Sequence, residues 1–131
     1  MRYTILYMAD HTHIKQTLEE TLKTLVEELE TIASYNEENG DWVAVPVAED
    51  LGSADDNLAA DATEEWGNRR ALVSQLEMRF HNVKLALQKH EDGTFGRCEM
   101  CNEPIEEARL AINPAARTCK VHMERERELP L

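Results

Sequence analysis

The sequence predicts a mainly α fold, in which a long antiparallel helical hairpin is followed by a small cysteine-containing segment. Apolar residues recur at helical spacing over two long stretches of the 131 residues, and three cysteines lie near the C-terminus. Aromatic residues make up only 5% of the chain. Because aromatic residues are enriched in strands, their scarcity disfavours an all-β sandwich.

The first predicted helix covers about residues 12–37. Its apolar residues fall three and four positions apart, which places them in one stripe along a helix. Asp10 or Thr12 can cap its start, and Asn39-Gly40 is a stop signal. Residues 2–8 fit a strand, a helix extension or an arm equally well. The stripe consists of Ile14, Leu18, Leu22, Leu25, Leu29 and Ile32.

The second predicted helix covers about residues 58–91 and carries the a/d pattern of a coiled coil. Two interleaved series recur every seven residues: Trp66, Val73, Phe80 and Leu87, and Ala62, Arg69, Leu76 and Val83. Residues 38–57 contain Pro46 and Gly52, which break helices, and are predicted to form the loop at the tip of the hairpin. We expect Trp42 to fold back onto a helix. The hairpin therefore covers residues 1–92, and a second domain covers residues 93–131.

Composition restricts the classes of partner and the compartment. The net charge is −12, of which residues 1–92 hold about −11. Such a chain repels nucleic-acid phosphates, which disfavours direct sequence-specific DNA or RNA binding, and it suits a basic groove on a protein. No apolar run approaches the roughly 20 residues of a membrane span. The N-terminal apolar run is too short for a signal peptide, so we expect a cytoplasmic protein with reduced thiols.

The C-terminal cysteines have the spacing of a zinc site. Two pairs, each separated by two residues, flank a 17-residue interval, and the four side chains are Cys98, Cys101, Cys119 and His122. This is the pattern of a Cys₄ zinc finger with histidine at the last position, and imidazole is an equally good zinc ligand. Four protein ligands close the coordination sphere, so the one Zn²⁺ is expected to be structural. Its small core is predicted to contain Ile105, Leu110 and Ile112.

Other interpretations of the cysteines and histidines stay open. The cysteines can be unbound reduced thiols, or Cys98 and Cys101 a redox dithiol, although no βαβ pattern surrounds them. His11 and His13 are expected at the surface, and no second metal is expected at His81 or His90. No nucleophilic triad, phosphate-binding glycine loop or open metal site is present, so the sequence does not predict an enzyme.

The stretch "ALQKHEDGTFGRCEMCNEPIEEARLAINPAARTCKVH" resembles the DksA/TraR zinc-finger family. The resemblance lies in Gly93-Thr94-Phe95-Gly96, Pro104-Ile105, Arg109-Leu110 and Pro114-Ala115 around the two ligand pairs. It implies a coiled coil, a zinc finger with a short C-terminal helix, and transcription regulation through RNA polymerase binding. In such proteins the coiled coil enters the secondary channel, in some members together with guanosine tetraphosphate, which makes this nucleotide a candidate at the polymerase interface.

The acidic residues near the predicted tip depart from the family pattern. The best-studied pattern is Asp-x-x-Asp-x-Ala, and with Asp61 aligned to the second Asp, Leu58 takes the first position and Thr63 takes that of Ala. The candidate partner-binding acids are Asp55, Asp56, Asp61 and Glu64. The other interpretation is that these acids only start the second helix, with Asp55 or Asn57 as its cap. The alternative function is a zinc-stabilised structural or stress-related interaction module without polymerase control.

Overall fold

The chain is mainly helical, as the sequence predicts. The structure is a computed structural model that describes the backbone of residues 2–46 and 56–130, and the side chains of residues 11–46 and 63–130. The elements in chain order are α1 (Arg2–Ile32), β1 (Ala33–Asn36), β2 (Asp41–Ala44), α2 (Asp56–Asp92), α3 (Glu107–Ile112) and a C-terminal 3₁₀ helix (Lys120–Glu128). Within these described residues, no helix combines the length and apolarity needed to cross a membrane.

The fold divides into two compact units. The finger unit consists of Met1–Lys23 and Phe80–Leu131, and the acidic unit is Thr24–Arg79. Both long helices contribute residues to each unit. The acidic unit has 14 Asp and Glu residues against three Arg and no Lys, a net charge of −11, which leaves −1 for the finger unit. Almost the whole surplus charge of the chain therefore belongs to one unit.

Helix α1 differs from its predicted bounds at both ends. It begins at Arg2 and ends at Ile32, whereas the sequence predicts a helix over about 12–37. Residues 2–8 are therefore a helix extension, one of the three interpretations left open. The predicted stripe is confirmed, because Leu18, Leu25 and Leu29 are at most 1% exposed. The helix ends early because the residues after Ile32 enter a strand.

Helix α2 confirms the predicted heptad pattern. Four residues of the two series are buried: Val73, Leu76, Phe80 and Val83. Within the finger unit, His11 of α1 lies beside His90 of α2, with ring centroids 6.3 Å apart. Within the acidic unit, residues of α1 between 24 and 32 line one groove with Leu72 and Leu76. Both pairings have the order that an antiparallel hairpin requires, and the hairpin as a whole stays a prediction.

A β-hairpin occupies part of the segment predicted as a tip loop, so the loop prediction for 38–57 is wrong in its first part. Strands β1 and β2 pair antiparallel with Tyr35 opposite Trp42. The turn is held by the amide of Gly40, which donates to the carbonyl oxygen of Asn36 at 2.8 Å, and Gly40 has φ +74°. Glycine adopts this left-handed conformation without a steric penalty. Trp42 is buried, and residues 47–55 lie outside the described part of the chain.

The small core of the finger differs from the prediction at one position. Ile105 and Leu110 are buried as expected, but Ile112 is 87% exposed. Helix α3 has only six residues. Successive residues of a helix turn by about 100°, so a residue two positions after the buried Leu110 faces away from the core. The prediction of Ile112 as a third core residue is therefore wrong.

Candidate metal centre

The first cysteine pair lies in a tight knuckle closed by backbone hydrogen bonds. The amide of Cys98 donates to the carbonyl oxygen of Glu103, and the amide of Asn102 donates to that of Cys98, both at 2.8 Å. Asn102 and Gly96 have φ values of +61° and +87°. Asparagine and glycine tolerate this region best. The reversal of the chain after Cys101 brings both thiols to the same side of the knuckle.

The second ligand pair uses one turn of helix. Cys119 directly precedes the C-terminal 3₁₀ helix, and the amide of His122 donates to the carbonyl oxygen of Cys119 at 3.0 Å. Residues three apart in a 3₁₀ helix lie on the same face. The amide of Lys120 donates to the Glu106 carboxylate at 3.0 Å. This bond fixes the start of the turn that carries His122.

The four predicted ligands converge on one point. One ligand atom from each of Cys98, Cys101, Cys119 and His122 lies within 4.8 Å of the other three. The Sγ atoms of Cys101 and Cys119 are 3.8 Å apart. The Nδ1 atom of His122 lies 3.7 Å from the Cys98 sulfur and 3.3 Å from the Cys119 sulfur.

These distances fit a tetrahedral zinc ion. With Zn–S bonds of about 2.3 Å, two sulfurs of a tetrahedron are separated by about 3.8 Å, and a sulfur and an imidazole nitrogen by slightly less. Three thiolates and one imidazole are also a donor set that zinc prefers. The four side chains are therefore positioned to bind one metal ion and leave no open coordination position for catalysis.

The surroundings act differently on two of the thiols. Burial raises the pKa of the Cys98 thiol, but the backbone amides of Cys119, Cys101 and Met100 outweigh it and lower the pKa to about 6. At Cys101 a backbone interaction with Glu103 lowers the pKa, but partial desolvation and the two neighbouring thiols raise it overall. Amides that stabilise a thiolate also favour metal binding, because the thiolate is the ligand.

A buried arginine connects the two ligand pairs. Arg117 is 5% exposed, and its guanidinium donates to both oxygens of Glu99, at 2.6 and 2.9 Å. Lys89 at the end of α2 reaches the same carboxylate at 2.8 Å. Burial raises the pKa of Glu99, but Arg117 and Lys89 outweigh it and hold the pKa below its ordinary value. Because Glu99 follows Cys98 and Arg117 precedes Cys119, this ion pair holds the knuckle of the first ligand pair to the segment that leads into the second pair.

Two further contacts attach the C-terminal helix to the finger. Glu126 accepts hydrogen bonds from the backbone amides of Arg117 and Thr118, and it pairs with Arg109 at 3.4 Å. The guanidinium of Arg117 also donates to the carbonyl oxygen of Pro130 at 2.6 Å. These contacts anchor the C-terminal end of the 3₁₀ helix that carries His122, and the Lys120–Glu106 hydrogen bond anchors its start.

The expectation that His11 lies at the surface is wrong. His11 is 8% exposed and meets Phe95 edge-on, with ring centroids 4.9 Å apart, while His13 is exposed as expected. The His90 ring stacks on the Phe95 ring, with centroids 3.8 Å apart. Burial lowers the pKa of His90 to about 4, and His11 and Lys15 add to this effect. A periodicity argument misses His11 because its partners lie far away in sequence.

Sequence reasoning also missed the ion-pair network of the finger. The one feature of the sequence that could have indicated this network is a pair of opposite charges, Glu99 and Arg117, each close to one of the two ligand pairs. The candidate acids of the tip are a different case. Asp55 and the side chains of Asp56 and Asp61 lie outside the described residues, and the side chain of Glu64 is exposed. Their role in partner binding stays a prediction.

Known proteins resemble both the finger and the whole chain. Residues 93–121 match the family described as the prokaryotic DksA/TraR C4-type zinc finger. An uncharacterised protein of Aquifex aeolicus (strain VF5) is 34% identical over 121 residues, which cover 87% of this chain and 74% of that protein. The uncharacterised protein YlyA of Bacillus subtilis (strain 168) is 44% identical over 50 residues, covering 38% of this chain and 40% of YlyA.

The backbone resembles a solved structure, that of transcription factor DksA2 from Pseudomonas aeruginosa. The TM-score is 0.69 over 92% of this chain and 84% of that one, at 21% identity, so the likeness shows the fold. The fourth ligand position here is His122, whereas the matching family is described by four cysteines. Since the geometry around His122 suits the same metal, this difference does not alter the assignment. The chain belongs to the DksA/TraR zinc-finger family.

Proposed function

We propose that this chain is a DksA-like transcription regulator that binds RNA polymerase, with its acidic unit entering the secondary channel. One observation carries the proposal beyond family membership: the acidic unit holds a net charge of −11, and the finger unit holds −1. A channel that attracts nucleotides is basic, and an acidic surface is steered into it electrostatically. The similar Pseudomonas protein is itself a transcription factor, which supports this role.

The metal centre has a structural role in this proposal. Bound zinc crosslinks the knuckle and the helical turn that carry the two ligand pairs, and it supplies on the order of 10 kcal/mol of folding free energy to a segment too small to fold alone. The finger's own residues, Glu99 and Arg117, hold these two parts in register. That the protein is not an enzyme, that it acts in the cytoplasm and that it does not bind specific DNA sequences all stay predictions, as does any role for guanosine tetraphosphate.

The proposal is tested by binding and crosslinking to core RNA polymerase. The full chain, immobilised at low salt, should retain core polymerase, and the affinity should fall as salt rises because the attraction is largely electrostatic. A photocrosslinker at position 61 should react with peptides that line the secondary channel. Absence of binding at low salt, or crosslinks confined to the outer surface of polymerase, would contradict the proposal.

The alternative, an interaction module without polymerase control, is favoured by the missing Asp-x-x-Asp-x-Ala pattern. A triple variant, Asp55→Asn, Asp56→Asn and Asp61→Asn, distinguishes the two functions in a transcription assay with purified polymerase. If the acids act on the polymerase, transcript yield changes relative to the unmodified protein. If the triple variant and the unmodified protein give the same transcript yield, these acids do not act on the polymerase and only start α2.

A matched control removes the same charge elsewhere. Glu91→Gln, Glu103→Gln and Glu124→Gln neutralise three exposed acids of the finger unit and give the same net charge as the triple variant. We expect this control to act on transcription like the unmodified protein. An equal loss of effect in both variants would mean that the total charge matters, and that the position of the acids does not.

A further inference from the structure

The acidic unit contains an apolar groove whose described lining residues are all distinct from the metal ligands. It lies between α1 and α2, has a volume of about 410 Å³, and is lined by residues that include Ile32, Leu72 and Leu76. Leu76 is buried, while Leu72 is 46% exposed. Exposed Glu27 and Glu28 lie on the α1 side. The groove therefore combines an apolar interior with an acidic rim.

Exposed apolar residues also lie on the β-hairpin, whose end is hydrogen-bonded to a residue that lines the groove. The amide of Val45 donates to the carbonyl oxygen of Ile32 at 2.9 Å, which places the end of the hairpin next to the groove wall. Val45 and Val43 are 44% and 57% exposed. Single exposed apolar residues are ordinary, whereas an apolar groove with further exposed apolar residues nearby is typical of a surface that another molecule covers.

Charge restricts what can occupy this groove. A second copy of the chain would bring another unit of net charge −11 against the first, and a nucleic acid would bring phosphates, so both are repelled. A protein segment with Lys or Arg beside apolar side chains fills the interior and pairs with Glu27 and Glu28. We infer that the groove docks such a basic, amphipathic segment of RNA polymerase. This inference rests on the proposed function and identifies the surface that it uses.

A truncation on α2 tests the apolar part of the groove. Leu72→Ala removes an exposed apolar side chain from the groove, and Met78→Ala removes one that is 53% exposed on the same helix but does not line it. We expect Leu72→Ala to weaken binding to core polymerase about fivefold or more and Met78→Ala to change it less than about twofold. Because both side chains are about half exposed, we expect both variants to fold. Circular dichroism verifies this. Equal affinities of the two variants would overturn the inference.

A charge reversal on α1 tests the rim. Glu27→Lys with Glu28→Lys is compared with Glu30→Lys with Glu37→Lys, a pair of exposed acids of the same unit that do not line the groove. Both double variants lose the same long-range attraction, because they carry the same net charge. We expect the rim variant to bind core polymerase at least about fivefold more weakly than the control. Equal weakening would show that the rim makes no specific contact.

Crosslinking separates failure of the groove from failure of the proposed function. A photocrosslinker at position 72 should capture a polymerase peptide that contains Lys or Arg next to apolar residues, and one at position 78 should not. If the unmodified protein binds polymerase but position 72 captures nothing, the groove is refuted and the proposed function stands. If the unmodified protein does not bind polymerase at all, both are refuted.

Discussion

Replacement of Arg117 by alanine should destabilise the finger more than any change of an exposed charge. The guanidinium makes three short hydrogen bonds, two to Glu99 and one to the carbonyl oxygen of Pro130, and the side chain is 6% exposed. Removal of Arg117 takes away the connection between the two ligand pairs and one anchor of the C-terminal helix. Because the guanidinium is planar and forked, a side chain of another type cannot make both contacts to the carboxylate from this position.

The expected loss of stability depends on how the Glu99 carboxylate is paired after Arg117 has been replaced. Breaking a buried ion pair costs about 3–5 kcal/mol when the other charge is left unpaired. Here Glu99 is 25% exposed and keeps Lys89 at 2.8 Å, so its charge is not left alone. We therefore expect a loss of about 2–4 kcal/mol in the free energy of unfolding. Arg117→Lys keeps the charge but not the fork and should recover about half of the loss.

Urea unfolding at a fixed zinc concentration measures the effect, since bound metal contributes to apparent stability. Arg125→Ala is the matched control, because Arg125 pairs with Glu128 at 3.2 Å while both side chains are about 60% exposed. Exposed pairs contribute about 0–1 kcal/mol, so the control should change little. If Arg117→Ala destabilises no more than Arg125→Ala, the Arg117–Glu99 ion pair does not hold the two ligand pairs together.

Three further predictions concern the metal, the helix and the pH dependence of stability. Elemental analysis should find one zinc per chain, and Cys98→Ser or chelation should unfold the C-terminal third while far-UV circular dichroism retains most of its helical signal; absence of zinc would refute the metal assignment. Gly67→Ala in α2 should stabilise by about 0.5–1 kcal/mol in thermal unfolding, because nothing beyond the adjoining helix backbone and chain neighbours lies within 4 Å of the added methyl group. Gly93→Ala is the contrast and should destabilise, since φ is +76° there. The unfolded chain protonates His90 near its ordinary pKa of 6.5, above the folded value of about 4, so stability falls as pH drops through this range. After allowance for solvent exposure this loss is about 1 kcal/mol, and His90→Gln should abolish it relative to the unmodified protein.

The features that the sequence predicted correctly are those encoded by short-range spacing. The stripe around Leu18 and Leu25 and the heptads around Val73 and Phe80 follow from the geometry of a single helix, and the structure buries them. The ligand pairs could be predicted from short-range spacing as well, because two residues between ligands suit a knuckle or a helical turn. Such patterns are visible without knowledge of which distant residues meet.

The features that the sequence did not predict depend on contacts between distant residues or on small turns. The turn of the β-hairpin is stabilised by the side-chain oxygens of Asn36 and Asn39. They accept hydrogen bonds from backbone amides of the turn at 2.9 and 3.0 Å. Helix-stop signals and turn signals use the same residue types, so Asn39-Gly40 predicts the end of a helix as readily as the turn of a hairpin. His11 is buried because Phe95 covers it, and 84 positions separate the two in sequence.

The charge of the acidic unit connects stability with the proposed function. In the finger unit, Arg117, Lys89 and Arg109 form ion pairs with carboxylates. The acidic unit, in contrast, contains 14 acidic residues and only three arginines. Like charges at this density repel one another and destabilise the free protein. Neutralisation of exposed Glu37 and Glu38 by glutamine should therefore raise the free energy of unfolding at low salt by a few tenths of a kcal/mol. The same variant should associate with polymerase more slowly, because steering depends on the summed charge. A gain in stability with an unchanged association rate would mean that the negative charge of the acidic unit does not assist partner binding.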